Sequence, residues 1–128
     1  MRHRSIGSAG EQIACDYIKA QGKRVITKNY HSRYGEIDII AEDDKYILFI
    51  EVKTRAANSF GTPAEAVSKI KINKIIKTAY DYIAKNPTNL QPRFDVVEII
   101  TAKTGEFEDV KINHIQNAFM LEDPYGLF

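Results

Sequence analysis

The chain of 128 residues contains one cysteine, Cys15, no tryptophan, four prolines and three histidines. A single cysteine excludes a disulfide scaffold and a cysteine-rich zinc site. No apolar run approaches the ~18–20 residues that a transmembrane helix requires. No apolar signal core follows the basic residues at the N-terminus. From these absences we expect a soluble, cytoplasmic protein.

The sequence does contain enough apolar residues for a hydrophobic core. Hydrophobic residues make up 44% of the chain and charged residues 27%, a composition that excludes an intrinsically disordered protein. This length suits one domain, so we expect a single domain over residues 1–128. The net charge of +1 does not by itself indicate a nucleic-acid binder. Residues 67–93, however, hold six Lys or Arg and only one Asp.

Hydrophobic periodicity predicts an α/β fold with a mixed central sheet of about five strands and two main helices. Apolar residues at helical spacing indicate helices over residues 6–21 and 62–84. Thr62, Pro63 and Glu65 form a capping pattern at the start of the second helix. β-prone runs between turn signals predict strands over 23–30, 36–41, 46–53, 94–101 and 111–119, in the order α-β-β-β-α-β-β.

Charged residues interrupt the two strands that we expect to form a hairpin. Asp38 lies in the first strand, and Glu51 and Lys53 lie near the end of the second. Strand alternation places Glu51 and Lys53 on one face. Residues opposite each other on neighbouring strands are ~5 Å apart, so Asp38 and Glu51 could converge on one cation. Ionised groups on a half-buried sheet are costly unless they pair or bind a metal.

This arrangement suits the hydrolysis of phosphodiester bonds. Two carboxylates and the backbone carbonyl of Val52 would supply the oxygen ligands that Mg²⁺ or Mn²⁺ prefers. The metal would polarise the phosphate and lower the pKa of an attacking water, and Lys53 could orient that water or stabilise the developing charge. An isolated Glu-x-Lys pattern at a strand end is also typical of a solvated ion pair.

Two segments together resemble the PD-(D/E)XK nuclease superfamily, which has the restriction-endonuclease-like fold. They are the run from Gly35 to Ile40, which contains Asp38, and the run from Phe49 to Arg55. The chain resembles more closely the YraN-type family of small bacterial presumed endonucleases, which is similar to archaeal Holliday-junction resolvases. The resemblance covers nearly the whole chain, and its further matches are Gly10-Glu11, Gly61, Pro63, Ala66-Val67, Lys71, Lys74 and Arg93 to Val97.

This resemblance implies that Asp38 and Glu51 are metal ligands and that Lys53 is the catalytic lysine. Glu11 resembles the acid that many resolvase-like members add from the first helix. Ile37 precedes Asp38 where the superfamily's name has proline, which is usual in the resolvase-like branch. The resemblance further implies structured or branched DNA as the substrate, and such enzymes often act as homodimers.

Several residues have a structural interpretation beside the functional one. Glu11 could instead close a capping box with Ser8. Arg55, Lys71 and Lys74 are candidate contacts to nucleic-acid phosphates, although a lysine-rich outer helix face is more often simply solvated.

The function also keeps alternatives. The chain could be a non-catalytic nucleic-acid-binding module on a nuclease-like fold, or a protein-interaction domain.

Arg93 and Asp95 are expected to form a structural ion pair, and His114 is expected to be structural.

Overall fold

One five-stranded sheet and two helices form the part of the chain that the computed structural model describes, residues 6–57, 68–102 and 106–119. No helix within these ranges is long and apolar enough to cross a membrane. The α/β class and the predicted order α-β-β-β-α-β-β are confirmed. The elements are α1 Ile6–Ala20, β1 Arg24–Ser32, β2 Gly35–Glu42, β3 Tyr46–Ala56, α2 Lys69–Lys85, β4 Gln91–Thr101 and β5 Lys111–Phe119.

The sheet is mixed, as the sequence predicts, and its strands lie in chain order from β1 to β5. The pairs β1–β2, β2–β3 and β4–β5 are antiparallel. The central pair β3–β4 is parallel over its whole length, from Tyr46 and Gln91 to Ala56 and Thr101. A parallel pair needs a crossover connection, and α2 lies in the connection between these two strands.

Within the described ranges, each face of the sheet carries one helix and one apolar cluster. The cluster under α1 includes Cys15, which is a core residue as expected. The cluster under α2 contains the buried aromatic side chains Phe49, Tyr82 and Phe94, and the rings of Phe49 and Phe94 stack. The α1 cluster is Ala14, Cys15, Ile18, Ile39, Ala41, Leu48, Ile50, Val97 and Ile99; the α2 cluster includes Ile37, Ile40, Ile47, Phe49, Ile75, Ile76, Ala79, Tyr82, Phe94 and Val96.

The strands β2 and β3 separate part of the way along the sheet. Their ladder covers only Ile39–Glu42 and Ile47–Ile50. Beyond Ile39, β2 stays paired with β1, while β3 beyond Ile50 stays paired with β4. Ile37 packs under α2 and Ile39 under α1, although a regular strand would place both on one face. The regular alternation of side chains along β2 is therefore interrupted at Asp38, at the point where the two strands part.

Three predicted boundaries are wrong by three or more residues: the start of α2, the end of β3 and the start of β4, which begins at Gln91 instead of residue 94. Ser68 has an extended backbone, with φ −68° and ψ 161°, and its side chain accepts a hydrogen bond from the Lys71 amide, so it is the N-cap of α2. A helix running unbroken from residue 62 is therefore excluded, while the capping pattern at 62–65 lies outside the described residues. The third strand continues to Ala56 instead of ending at residue 53, because its pairing with β4 continues that far.

Candidate functional site

The predicted pair of carboxylates lies at the fork between β2 and β3. The last ladder pair is Ile39 with Ile50, so Asp38 and Glu51 are the next residues on each strand. Both are buried, with 8% and 6% of their surface exposed. The Val52 amide donates a hydrogen bond of 2.7 Å to Asp38 Oδ2. Because the ladder between β2 and β3 ends at Ile50, the Val52 amide bonds the Asp38 carboxylate instead of a backbone carbonyl of β2. This hydrogen bond fixes Asp38 beside Glu51.

The two carboxyl groups interact directly. Burial, and after it the hydrogen bond and negative charge of Asp38, raises the pKa of Glu51 from 4.5 to about 8. At neutral pH the cation-free pair therefore keeps a proton on Glu51. A divalent cation that binds both carboxylates would displace this proton and stabilise the pair.

Two lysines flank the carboxylates. Lys53 lies two residues beyond Glu51 on the same strand face, as predicted, and Lys71 reaches in from α2 with its Nζ 3.5 Å from Glu51 Oε1. Burial, together with the neighbouring Lys71 ammonium, lowers the pKa of Lys53. Burial also acts to lower the pKa of Lys71, but the nearby Glu51 carboxyl and other site groups outweigh it, so this pKa is raised.

Glu11 approaches the site from α1 on the other face of the sheet. Burial, and then the charge of Asp38, raises its pKa, while a hydrogen bond with Asn29 acts in the opposite direction. The capping-box interpretation is wrong, because Ser8 lies within α1, whose first residue is Ile6. A Cβ on Gly10 would overlap Thr54 Oγ1, so glycine at this position lets α1 lie close to β3.

A cleft of about 360 Å³ leads from solvent to Glu51. Glu51 and Lys71 lie in its lining, and Lys74 lies at its exposed side. The helix packs tightly there: a Cβ on Gly35 would be 3.3 Å from the Lys74 Cβ. The lining residues are Gly35, Glu36, Glu51, Ser68, Ile70, Lys71, Lys74 and Ile75.

Arg55, a predicted phosphate contact, has a buried partner. Its Nε donates to Glu98 Oε2, and Asn113 Nδ2 donates to the other oxygen of Glu98 at 3.1 Å. Glu98 is only 1% exposed. The position of Arg55 therefore explains how this carboxylate is tolerated in the core.

The expected ion pair between Arg93 and Asp95 is confirmed. Arg93 donates two hydrogen bonds to Asp95, of 2.9 and 2.7 Å. His114 Nε2 is 2.7 Å from the same carboxylate, and His114 Nδ1 is 3.0 Å from the Tyr17 hydroxyl. This network joins α1, β4 and β5 on the face opposite α2, and it supports the structural interpretation of His114.

The donor set fits a small divalent cation. Asp38 and Glu51 offer carboxylate oxygens, which suit Mg²⁺ or Mn²⁺ and not a soft metal. Within the described ranges no group of three or more His, Cys, Asp and Glu side chains is arranged to hold a metal. The predicted ligand set has only two side chains and the Val52 carbonyl, and Mg²⁺ usually keeps several waters.

The fold and this centre define a small α/β protein with a buried carboxylate–lysine site. The profile of the "Uncharacterised protein family UPF0102" matches residues 10–99, a segment that contains Glu11, Asp38, Glu51, Lys53 and Lys71. The chain therefore belongs to the UPF0102 family.

Curated relatives agree with this membership. A UPF0102 protein of Clostridium botulinum (strain Loch Maree / Type A3) is 46% identical over 121 residues, which cover 93% of this chain and 97% of the relative. A UPF0102 protein of Caldanaerobacter subterraneus subsp. tengcongensis is 44% identical over 117 residues, covering 91% and 95%. One of Syntrophomonas wolfei is 42% identical over 118 residues, covering 91% and 99%.

Proposed function

We propose that this chain is a metal-dependent endonuclease of the restriction-endonuclease-like PD-(D/E)XK type, related to Holliday-junction resolvases. It hydrolyses DNA phosphodiester bonds, with Mg²⁺ or Mn²⁺ as cofactor and structured or branched DNA as the favoured substrate. One observation carries the proposal. Asp38 and Glu51 lie buried side by side, with Lys53 on the face of Glu51, and a cleft opens onto Glu51.

Each residue of the centre has a role in this reaction. Asp38, Glu51 and the Val52 carbonyl would hold the cation, and the bond from the Val52 amide keeps Asp38 in place. Bound Mg²⁺ would polarise the phosphate and activate a water. Lys53, whose pKa burial and the Lys71 ammonium lower, orients the water or the phosphate oxygen. Glu11 supplies a further acid beside Asp38.

The charge pattern differs from that of a structural ion pair in the same protein. Asp95 accepts two bonds from Arg93 and one from the Asn117 amide, and these partners and His114 outweigh burial and lower its pKa. Glu51 instead faces another carboxylate, and its pKa is raised to about 8. A buried acid that has a like-charged neighbour costs stability, so its presence favours a functional role.

The test is cleavage of a panel of DNA substrates: a four-way junction, a flap, a single strand and a blunt duplex. Each is incubated with Mg²⁺, Mn²⁺ or EDTA. We expect the wild-type protein to cut with metal only. Glu51→Gln and Lys53→Ala should abolish cutting while they retain cooperative unfolding.

Glu36→Gln is the matched control, because Glu36 lines the same cleft but is exposed and lies beside His31. It should cut like the wild type. Metal-independent cutting, or equal cutting by Glu51→Gln, would contradict the proposal. Salt-sensitive binding without cleavage of any substrate would favour the alternative, a non-catalytic nucleic-acid-binding module.

We further propose that the protein acts in the cytoplasm as a homodimer. Its two carboxylate sites, one in each protomer, would then face the two paired strands of the DNA. Light scattering at the concentration of the cleavage assay measures the oligomeric state directly.

A further inference from the structure

Three lysines of α2 lead away from the carboxylates toward the outer edge of the sheet. Lys71 reaches Glu51 on β3, Lys74 lies against Gly35 at the start of β2, and Lys77 lies over Tyr34 in the turn between β1 and β2. Their spacing of three residues corresponds to ~4.5 Å of helix axis per step, or ~9 Å in all. Each lysine therefore lies beside a different part of the sheet, in sequence from the site outward.

These three lysines, Lys71, Lys74 and Lys77, form a track along α2. The track ends at a second cleft that contains two tyrosines. This cleft has a volume of about 420 Å³ and is lined by Tyr34, Lys77, Tyr80 and Asp81. Lys77 Nζ lies 5.9 Å and Arg33 Cζ 4.9 Å from the centre of the Tyr34 ring. Tyr80 is 40% exposed. Aromatic rings and cationic side chains thus share one surface.

The acids beside this track already have partners. Glu36 Oε2 is 3.3 Å from His31 Nδ1. Asp81 Oδ2 accepts a hydrogen bond of 2.6 Å from the Tyr30 hydroxyl and lies 3.4 Å from Lys85 Nζ. Among the residues that the structure describes, Lys74 and Lys77 form no ion pair, so both ammonium groups are available to an anionic ligand.

We infer that Tyr34 is a base-stacking subsite, and that Lys71, Lys74 and Lys77 hold the phosphates of a single-stranded segment that leads to it from the carboxylate centre. The inference rests on the proposed function and specifies its substrate: DNA with an unpaired base about two or three nucleotides from the bond that is cut. This number assumes a stacked segment with the ~3.4 Å rise per nucleotide of one strand of B-DNA, set along the ~9 Å from Lys71 to Lys77.

The chemistry of the surface favours a nucleic acid over an acidic peptide. Single-strand binding proteins combine a cationic groove for the backbone with aromatic rings on which bases stack. An acidic peptide would use the lysines but would gain little from Tyr34. The dependence of binding on the aromatic ring therefore separates the two ligands.

The experiment measures binding of a short single-stranded DNA that carries 2-aminopurine, in EDTA to prevent cleavage. Stacking on Tyr34 should quench the fluorescence of the probe. Tyr34→Leu keeps apolar bulk but removes the ring face, so it should weaken binding about tenfold and abolish quenching. Tyr34→Phe should behave like the wild type.

The lysines are tested through the salt dependence of the same binding. Lys77→Gln should make the slope of log Kd against log salt shallower by about 0.7, the value for one contact to a single-strand phosphate. Lys19→Gln is the charge-matched control, because Lys19 is exposed on α1, across the sheet. Its slope should equal that of the wild type.

The outcomes separate this inference from the nuclease proposal. Ring-dependent quenching without cleavage of any substrate would support the subsite and refute the hydrolysis. Cleavage by the wild type together with unchanged binding and quenching by Tyr34→Leu would overturn the subsite and leave the nuclease. Displacement of the oligonucleotide by polyglutamate at equal charge would also overturn it, because the lysines would then bind any polyanion.

Discussion

Replacing Glu51 by glutamine should stabilise the cation-free protein at alkaline pH. Glutamine has nearly the same shape but no charge, so it removes the repulsion from Asp38 and the cost of burying an ionised group. The direction is the opposite of the usual effect of a substitution at a buried site, since most such changes destabilise. It therefore tests the geometry of the carboxylate pair directly.

The size of the effect follows from the pKa of Glu51. That pKa is raised from 4.5 to about 8, and each pKa unit corresponds to ~1.4 kcal/mol. Ionising Glu51 in the folded protein should thus cost on the order of 5 kcal/mol more than in the unfolded chain. Local rearrangement and water entry relieve part of this cost, so we expect Glu51→Gln to gain at least ~2 kcal/mol above pH 8.

The pH dependence has a definite sign. Between about pH 4.5 and 8 the folded wild type binds a proton that the unfolded chain has released. The stability of the wild type relative to Glu51→Gln should therefore be constant below about pH 4.5, decline through this window and level off above about pH 8. All other ionisable groups are common to both proteins, so their contribution cancels in the difference.

The assay is urea unfolding of both proteins in EDTA from pH 5 to pH 9, followed by circular dichroism. Glu36→Gln is the control, because its side chain is 56% exposed, and it should stay within about 0.5 kcal/mol of the wild type. Adding Mg²⁺ should stabilise the wild type more than Glu51→Gln. A wild type that is more stable than Glu51→Gln at pH 9 in EDTA would refute the shared-site geometry.

Three further predictions concern the centre and its support. Because Mg²⁺ must displace the Glu51 proton, its apparent affinity by calorimetry should rise up to about tenfold per pH unit and level off near pH 8; a constant affinity from pH 6 to 8 would contradict this. Gly10→Ala should lower the free energy of unfolding by about 1 kcal/mol, because the added Cβ overlaps Thr54 Oγ1. Adding Thr54→Ala to this variant should restore the stability, and an equal loss in the double variant would disprove the contact. Arg55→Met should cost about 3–5 kcal/mol in urea unfolding because it leaves Glu98 buried with one fewer donor, and adding Glu98→Met should recover most of the loss; no recovery would mean that Arg55 acts elsewhere.

Local periodicity was sufficient to predict the carboxylate pair. Strand side chains alternate, so Glu51 and Lys53 must share a face whatever the rest of the chain does. The short connection between β2 and β3 limits their register, and the pairing of Ile39 with Ile50 places Asp38 opposite Glu51. Both arguments need only the residues of one hairpin.

Other features of the site depend on residues that are distant in sequence. Lys71 was expected on an outer helix face, and only the packing of α2 brings its Nζ to Glu51. Arg55 meets Glu98, 43 positions later in the sequence, because β3 and β4 pair in parallel. Neither contact leaves a periodic signal in the sequence.

The sequence by itself determined the order of elements, the α/β class and the strand residues that carry charge, because side-chain periodicity and turn residues act over a few positions. It predicted that α2 begins at residue 62, whereas the N-cap in the structure is Ser68. The tertiary structure decided that start, the fork at Asp38 and the approach of Lys71, because each depends on how α2 packs against a sheet whose strands come from both halves of the chain.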